Sequence, residues 1–338
     1  MLGYYQDAKA LFRRTTEPHR LVGRVAERET IRQFCLNHIL TPKAGSLYIS
    51  GQPGTGKTAL LKEMIRDMQP AIEKAPFAIK VLTINCMTVK DPKLVYHKML
   101  VELGYKSEVG DKEAAIVLEN LVLGDKKNKI IVTILDEMDQ LLTKDQEVLY
   151  KLFQWSCMDN SKLTLIGIAN ALDMTDRFLP RLKAKDCEPQ LLNFNPYQVS
   201  EIREIIMDRL FSLEATSKGG RPRVAPLMQK PAIELCARKV AAATGDLRKA
   251  LDICRQTIEM VELETKKMER MTAQAPKVTI EHVKRALTSA FGSPMVQKMK
   301  NLNIHQQIVL AVLVIKIQAG KTIDCDVGKV CVAVEFSI

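Results

Sequence analysis

Apolar residues follow two rhythms along this chain. Between residues 24 and 40, Ile31, Phe34, Cys35 and Ile39 fall at helical spacing, which predicts a helix with one buried face. SLYIS (46–50) reads as a strand, a glycine-rich turn follows, and TALLKEMIRDM (58–68) reads as an amphipathic helix. AIKVLTINC (78–86) is a β-branched run, while KIIVTILDE (129–137) and KLTLIGIAN (162–170) are near-continuous apolar runs; all three predict strands. Such runs between helical stretches belong to parallel strands covered on both faces. About five strands within 45–195 therefore predict a doubly wound α/β domain.

After Pro196 the strand pattern stops. Ile202, Ile205, Ile206, Arg209 and Leu210 mark the apolar stripe of one helix, and 231–243 and 246–266 also read as helical. Loops at Lys218–Pro226 and around Ala273–Lys277 separate these helices, so a small helical domain ends near Gly292. Gln306–Ile317 opens a third unit with one apolar helix. The expected organisation is a segment at 1–20, an α/β domain at 21–196, a helical lid at 197–292 and a partial domain at 293–338.

Composition narrows the class further. The 338 residues are 46% hydrophobic and 26% charged, which fits folded domains and excludes collagenous or wholly disordered chains. No segment reaches the roughly 18 uninterrupted apolar residues of a membrane span, and the first residues lack the apolar core of a secretion signal. No membrane association is expected. The net charge is +11, with residues 1–100 and 201–300 positive and 101–150 negative. That balance suits a polyanionic partner, although a solvated basic surface has the same composition. None of the eight cysteines forms a CxxC pair and the five histidines do not cluster with them, so buried thiols in a reducing compartment are expected and zinc is not.

The chemistry concentrates at GQPGTGKT (Gly51–Thr58), a G-x-x-x-x-G-K-[ST] loop between a strand and a helix. Its glycines let backbone amides curl around phosphates. Lys57 supplies a point charge, Thr58 a hydroxyl for Mg²⁺, and the helix start its positive dipole end. AGKT at 319–322 is no second loop, because Ile315 stands where a glycine is required. ILDE (134–137) ends an apolar run in two acids: Asp136 can hold Mg²⁺, and Glu137 can polarise the water that attacks the γ-phosphate. Asn170 ends the next run and would orient that water if its strand lies beside the Asp136 strand; a turn-forming asparagine is the plainer alternative. TGDLRKALD (244–252) places Arg248 early in a helix, where a separate domain could carry it to the γ-phosphate, or where it could be a surface arginine.

Taken in order, LVGRVAE (21–27), GSLYISGQPGTGKTALL, ILDEMDQLLTKDQEVLYKLFQW, LTLIGIANALDMTDRFLPRL, PQLLNFNPY and ELCARKVAAATGDLRKALDICR resemble the AAA+ ATPases. More narrowly, they resemble the replication-licensing family of eukaryotic cell division control protein 6, close kin of the largest subunit of the origin recognition complex. The resemblance runs over about 20–325. It implies an AAA+ P-loop domain with a five-stranded parallel sheet, a helical lid, and the start of an incomplete winged helix. It makes Gly51, Gln52, Pro53, Gly54, Thr55, Gly56, Lys57, Thr58 and Ala59 the ATP-cradling loop, and Asp136 and Glu137 the second acidic motif. Asn170 and Arg248 become the two phosphate sensors, and Leu21, Val22 and Arg24 frame the adenine. The family's trans-acting arginine lies after Asn170, where Arg181 fits the pattern and Lys185 stands at a second basic position. A lysine there offers a point contact in place of a planar fork. Residues 87–104, with Lys90, Lys93, His97 and Lys98, correspond to a DNA-contacting insertion.

The resemblance further implies a nuclear ATPase that uses ATP and Mg²⁺ and turns over slowly. It would bind the origin recognition complex on double-stranded DNA and help load the MCM helicase with its chaperone. Thr41-Pro42 and Ser293-Pro294 are minimal cyclin-dependent kinase sites. The tail Lys329–Ile338 departs from the family and is expected to be translated intron, and a winged helix cut short there would bind DNA weakly. Three other readings remain open, one of them a catalytically intact core that cannot bind DNA for want of a complete winged helix. Of the remaining two, the largest origin-complex subunit is the nearer; a small-molecule P-loop kinase is the more distant, and the helical domain carrying GDLRKALD speaks against it.

Overall fold

The computed structural model describes residues 2–13, 21–105, 110–124, 129–141, 147–170, 179–216, 227–267, 276–291, 303 and 306–311. Five strands form one parallel sheet: β1 (Gly45–Gly51), β2 (Ala78–Asn85), β3 (Lys129–Asp136), β4 (Leu163–Ile168) and β5 (Gln190–Phe194). Their spatial order is β2-β3-β4-β1-β5. β4 thus lies between β1 and β3, with Ile49 opposite Ile168 and Leu135 opposite Gly167. This insertion brings the ends of the phosphate-loop strand, the acidic strand and the Asn170 strand side by side. Ligands of open α/β sheets bind at such carboxyl ends.

Burial follows strand position. β3 and β4 are buried almost throughout, whereas the edge strands β2 and β5 alternate. A continuous apolar run is what a strand covered on both faces needs. Ile130, Val132 and Ile134 turn to one face. There they join Leu47, Ile49, Ile31 and Phe34 of α2 (Val25–His38), and Leu60 and Met64 of α3 (Lys57–Glu73). Ile131 and Leu135 turn to the other face and meet α4 (Leu94–Glu102), α5 (Asp111–Leu123) and α6 (Glu147–Cys157) through Met99, Leu118 and Phe153. α3 runs past the predicted 58–68 and carries Pro70 in its last turn, where the ring removes one i→i−4 amide bond.

Beyond β5 the described residues are helical, with α7 (Val199–Thr216), α8 (Lys230–Ala243), α9 (Leu247–Lys267) and α10 (Ile280–Phe291). The segment at 1–20, for which no element was predicted, holds a further helix, α1 (Leu2–Leu11), packed on α7 and α9. Tyr5, Ala8 and Phe12 are fully buried, Tyr5 donates to the Pro276 carbonyl at 3.1 Å, and Lys9 pairs with Glu262 at 2.5 Å. Residues 1–283 form one compact unit and 284–338 a second. Of the second, 306–311 are helical, at the start of the helix expected from Gln306. Most of the expected winged-helix start, the 329–338 tail, Ser293 and the loop at 218–226 lie outside the described residues. Cys35, Cys86, Cys187, Cys236 and Cys254 are buried thiols and Cys157 is exposed. Among the described residues no helix is long and apolar enough to cross a membrane.

Candidate nucleotide site

β1 ends at Gly51, and the loop Gln52–Gly56 turns directly into α3, whose first residue is Lys57. Gly54 and Gly56 take left-handed backbone angles (φ 80° and 92°), which glycine adopts without a Cβ penalty. Space forbids a side chain as well. A Cβ on Gly54 would sit 1.7 Å from Asp246 Oδ1, and one on Gly56 would sit 2.6 Å from the Tyr197 hydroxyl. Gly54→Ala is therefore expected to strain the loop by about 1–2 kcal/mol from conformation alone and to push Asp246 off it. Thermal denaturation should show a lowered midpoint, with weakened ATP binding alongside.

Lys57 is 5% exposed and folds back over its own loop. Its ammonium donates to Gly51 O at 2.7 Å, Gln52 O at 3.0 Å and Asn170 Oδ1 at 3.0 Å. Burial lowers its pKa from the ordinary lysine value, the Arg248 charge pulls the same way, and Glu137, Asp136 and Asp139 oppose them. Beside it, Thr58 Oγ1 donates to Asp136 Oδ1 at 3.0 Å, which brings two hard oxygens to one point. A Mg²⁺ site needs little more from protein, since the ion takes one or two such groups and completes its shell with phosphate and water.

Glu137 follows with φ 55°, an uncommon angle for a residue with a side chain. Its amide donates to Asp136 Oδ1 at 3.1 Å, and its carboxylate accepts a short hydrogen bond from Asn170 Nδ2. Burial raises the Glu137 pKa, and the charges of Asp139 and Asp136 raise it further, against Lys57 and the Asn170 bond. Asn170 thus bridges the lysine to the acid, while its own amide points to Asp139 Oδ1 at 3.4 Å. The strand order required for Asn170 to reach the loop is the order observed.

The lid closes on the same loop. Leu247 N donates to Gly54 O at 3.3 Å, and Gly245, with φ 60°, packs against Pro196. Arg248 lies one residue further into α9, with its guanidinium paired to Asp246. Asp246 and Tyr197 both touch the phosphate loop, and neither was picked from the sequence. The available signals were an acid immediately before the helix in GDLR and a tyrosine directly after the last strand in NPY.

Profiles of the AAA family, ATPases associated with various cellular activities, and of the Cdc6/ORC-like ATPase lid domain match residues 47–188 and 197–265 respectively. The chain is 38% identical over 345 residues to cell division control protein 18 of Schizosaccharomyces pombe, covering 92% of this chain and 59% of that protein. It is 38% identical over 343 residues to the human cell division control protein 6 homolog, covering 96% and 59%. Among solved structures, a chain of the Drosophila origin recognition complex bound to DNA superposes with a TM-score of 0.77 at 30% identity. That match covers 98% of this chain and 77% of the Drosophila one. The chain belongs to the Cdc6/ORC family of AAA+ ATPases. It spans about three fifths of the length of the two cell division control proteins, covering 59% of each.

The remaining positions singled out from the family pattern fall as follows. Leu21 is buried and its amide donates to Glu63 Oε2 at 3.2 Å, while Val22 is half-buried. Arg24 is buried with φ 58°, and its guanidinium lies 4.1 Å over the Tyr197 ring and donates to Asn195 O and Glu27. In this Cdc6/ORC-family chain Arg24 therefore ties the 21–24 segment to the end of β5 and the start of the lid. Arg181 and Lys185 are exposed, and Arg181 stacks 5.4 Å over Tyr150. Residues 94–102 form α4, with Lys90 and Lys93 exposed and His97 and Lys98 half-buried. Lys98 donates to Thr88 Oγ1 at 2.5 Å.

Proposed function

We propose that this chain is an ATP-switched replication-licensing factor of the nucleus. It docks on the origin recognition complex at double-stranded DNA and promotes loading of the MCM helicase with its chaperone. The carrying observation is that Lys57, Thr58, Asp136, Glu137 and Asn170 converge at the carboxyl ends of the central strands while the lid brings Asp246 and Arg248 to the same loop. In this reading ATP lies along 51–59, framed by Leu21, Val22 and Arg24. Mg²⁺, held by Thr58 and Asp136, would neutralise phosphate charge. Glu137 takes the proton of the attacking water, Asn170 orients that water, and Arg248 senses the γ-phosphate. An acid held by Asn170, itself bonded to the buried Lys57, suits slow turnover, so bound ATP acts mainly as an assembly signal. Arg181, with Lys185 beside it, is the proposed trans-acting finger toward a neighbouring subunit. Thr41-Pro42 and Ser293-Pro294 are proposed acceptors for a cyclin-dependent kinase.

The 38% identity to two cell division control proteins, against 30% to the origin-complex chain, favours the licensing reading over that of an origin-complex subunit. Its test is helicase loading in a purified system of origin recognition complex, MCM with its chaperone, DNA and ATP. Salt-resistant MCM on DNA should appear only when the chain is added; an equal yield without it would refute the assignment. The positive charge at 90–98 is proposed to face DNA. Direct DNA affinity should then fall with salt at a log–log slope of about −0.9 per phosphate contacted, and substituting Lys90 and Lys93 by alanine should flatten that slope.

A further inference from the structure

We propose that Asp246 is a positioning residue for the ATP response, holding the Arg248 guanidinium in a pair that an incoming γ-phosphate has to displace. This rests on the reading of Arg248 as the phosphate-sensing arginine. Asp246 then sets how strongly the lid distinguishes ATP from ADP.

The carboxylate has two tasks at once. Its Oδ1 accepts from the Arg248 amide at 2.8 Å, which caps the start of α9. The same oxygen accepts from Arg248 Nε at 3.2 Å, and Oδ2 accepts from Nη2 at 3.3 Å, so both carboxylate oxygens face the guanidinium fork. The group lies on the phosphate loop itself, where its oxygens fill the space that a Gly54 side chain would need. Leu247 N, between the two residues, donates to Gly54 O. The Asp246 side chain is 15% exposed and that of Arg248 48%, so the acid is fixed while the arginine can swing.

A terminal phosphate is the stronger acceptor for the same planar fork, since it carries more charge and offers paired oxygens. When Arg248 turns to it, Asp246 Oδ1 keeps its bond to the backbone amide and only Oδ2 gives up its partner, Arg248 Nη2. The exchange is therefore cheap, and the carboxylate weighs against it by competing for the guanidinium. ADP lacks the phosphate that would make the exchange, so its binding leaves the Arg248–Asp246 pair in place.

Asp246→Asn removes the charge and keeps an N-cap of equal quality, so the fold should hold. If it does not, Asp246→Ser carries the same measurement. Calorimetric titration with Mg²⁺ and either ADP or a non-hydrolysable ATP analogue would compare wild type, Asp246→Asn, Arg248→Ala and the double variant. Asp246→Asn should raise affinity for the ATP analogue by about two- to fivefold, the scale of one partly exposed ion pair, and leave ADP affinity where it was. In the Arg248→Ala background the gain should vanish. A gain shared by ADP, a gain that survives without Arg248, or no gain at all would overturn the proposal. If Arg248→Ala leaves the preference for ATP over ADP unchanged, the sensor reading itself fails and the proposal with it. If that preference is lost but Asp246→Asn has no effect, the Asp246 role fails alone.

Discussion

Lys57→Ala is expected to lower ATP affinity by about 30- to 3,000-fold. Truncating one member of a buried, hydrogen-bonded charge pair costs about 2–5 kcal/mol, and each 1.4 kcal/mol is about tenfold. Lys57 is the residue for which that range applies: it is nearly fully buried, and its ammonium sits inside the loop that would hold the phosphates. In the folded chain its charge is disfavoured by burial, with the nearby Arg248 charge acting in the same direction. An incoming phosphate supplies the counter-charge that makes the ammonium favourable, so the lysine contributes more to the complex than to the fold. The variant leaves Gly51 O, Gln52 O and Asn170 Oδ1 to be met by water, so its melting temperature should be checked before its affinity is read. A folded variant that binds ATP within threefold of wild type would remove the lysine from the account.

Glu137→Gln is expected to keep ATP binding and to slow hydrolysis by about 10²- to 10⁴-fold, the usual contribution of a positioned general base. The amide retains the shape and the hydrogen bond to Asn170 but cannot take a proton. Unchanged turnover would refute Glu137 as the base. The wild-type pH profile carries a second signature. With Glu137 as the proposed base, hydrolysis requires its carboxylate form, and the Glu137 pKa is raised by burial and by Asp139 and Asp136. Turnover should therefore fall on acidification at a higher pH than an ordinary glutamate would give. Asp139→Asn removes one of the raising charges and should move that acid limb to lower pH; a limb that stays in place would assign it to another group.

How much of this could be read from the chain differs by residue. Lys57, Thr58 and their glycines are spaced by the local geometry of one strand, one turn and one helix, so a short motif suffices. Asp136 sits beside Thr58 because β3 ends level with the loop. Asn170 required one step more, the insertion of β4 between β1 and β3, and the sheet has that order. Asp246 and Tyr197 were not legible, because their role depends on the lid meeting the loop across a long stretch of sequence. α1 was missed for a related reason: Tyr5, Ala8 and Phe12 look unremarkable in sequence, and only α7 and α9 turn them into a buried face. β5 is a five-residue edge strand with alternating burial, too short to stand out from the turn residues around it.

The most direct test of the ATP-switch account is retention of the chain on origin DNA already carrying purified origin recognition complex from the same organism. Retention would be compared with ATP, with ADP and without nucleotide, for wild type and Lys57→Ala. The account predicts retention with ATP alone and its loss in the variant. Retention that ignores the nucleotide, or that persists in a Lys57→Ala chain unable to bind ATP, would contradict it.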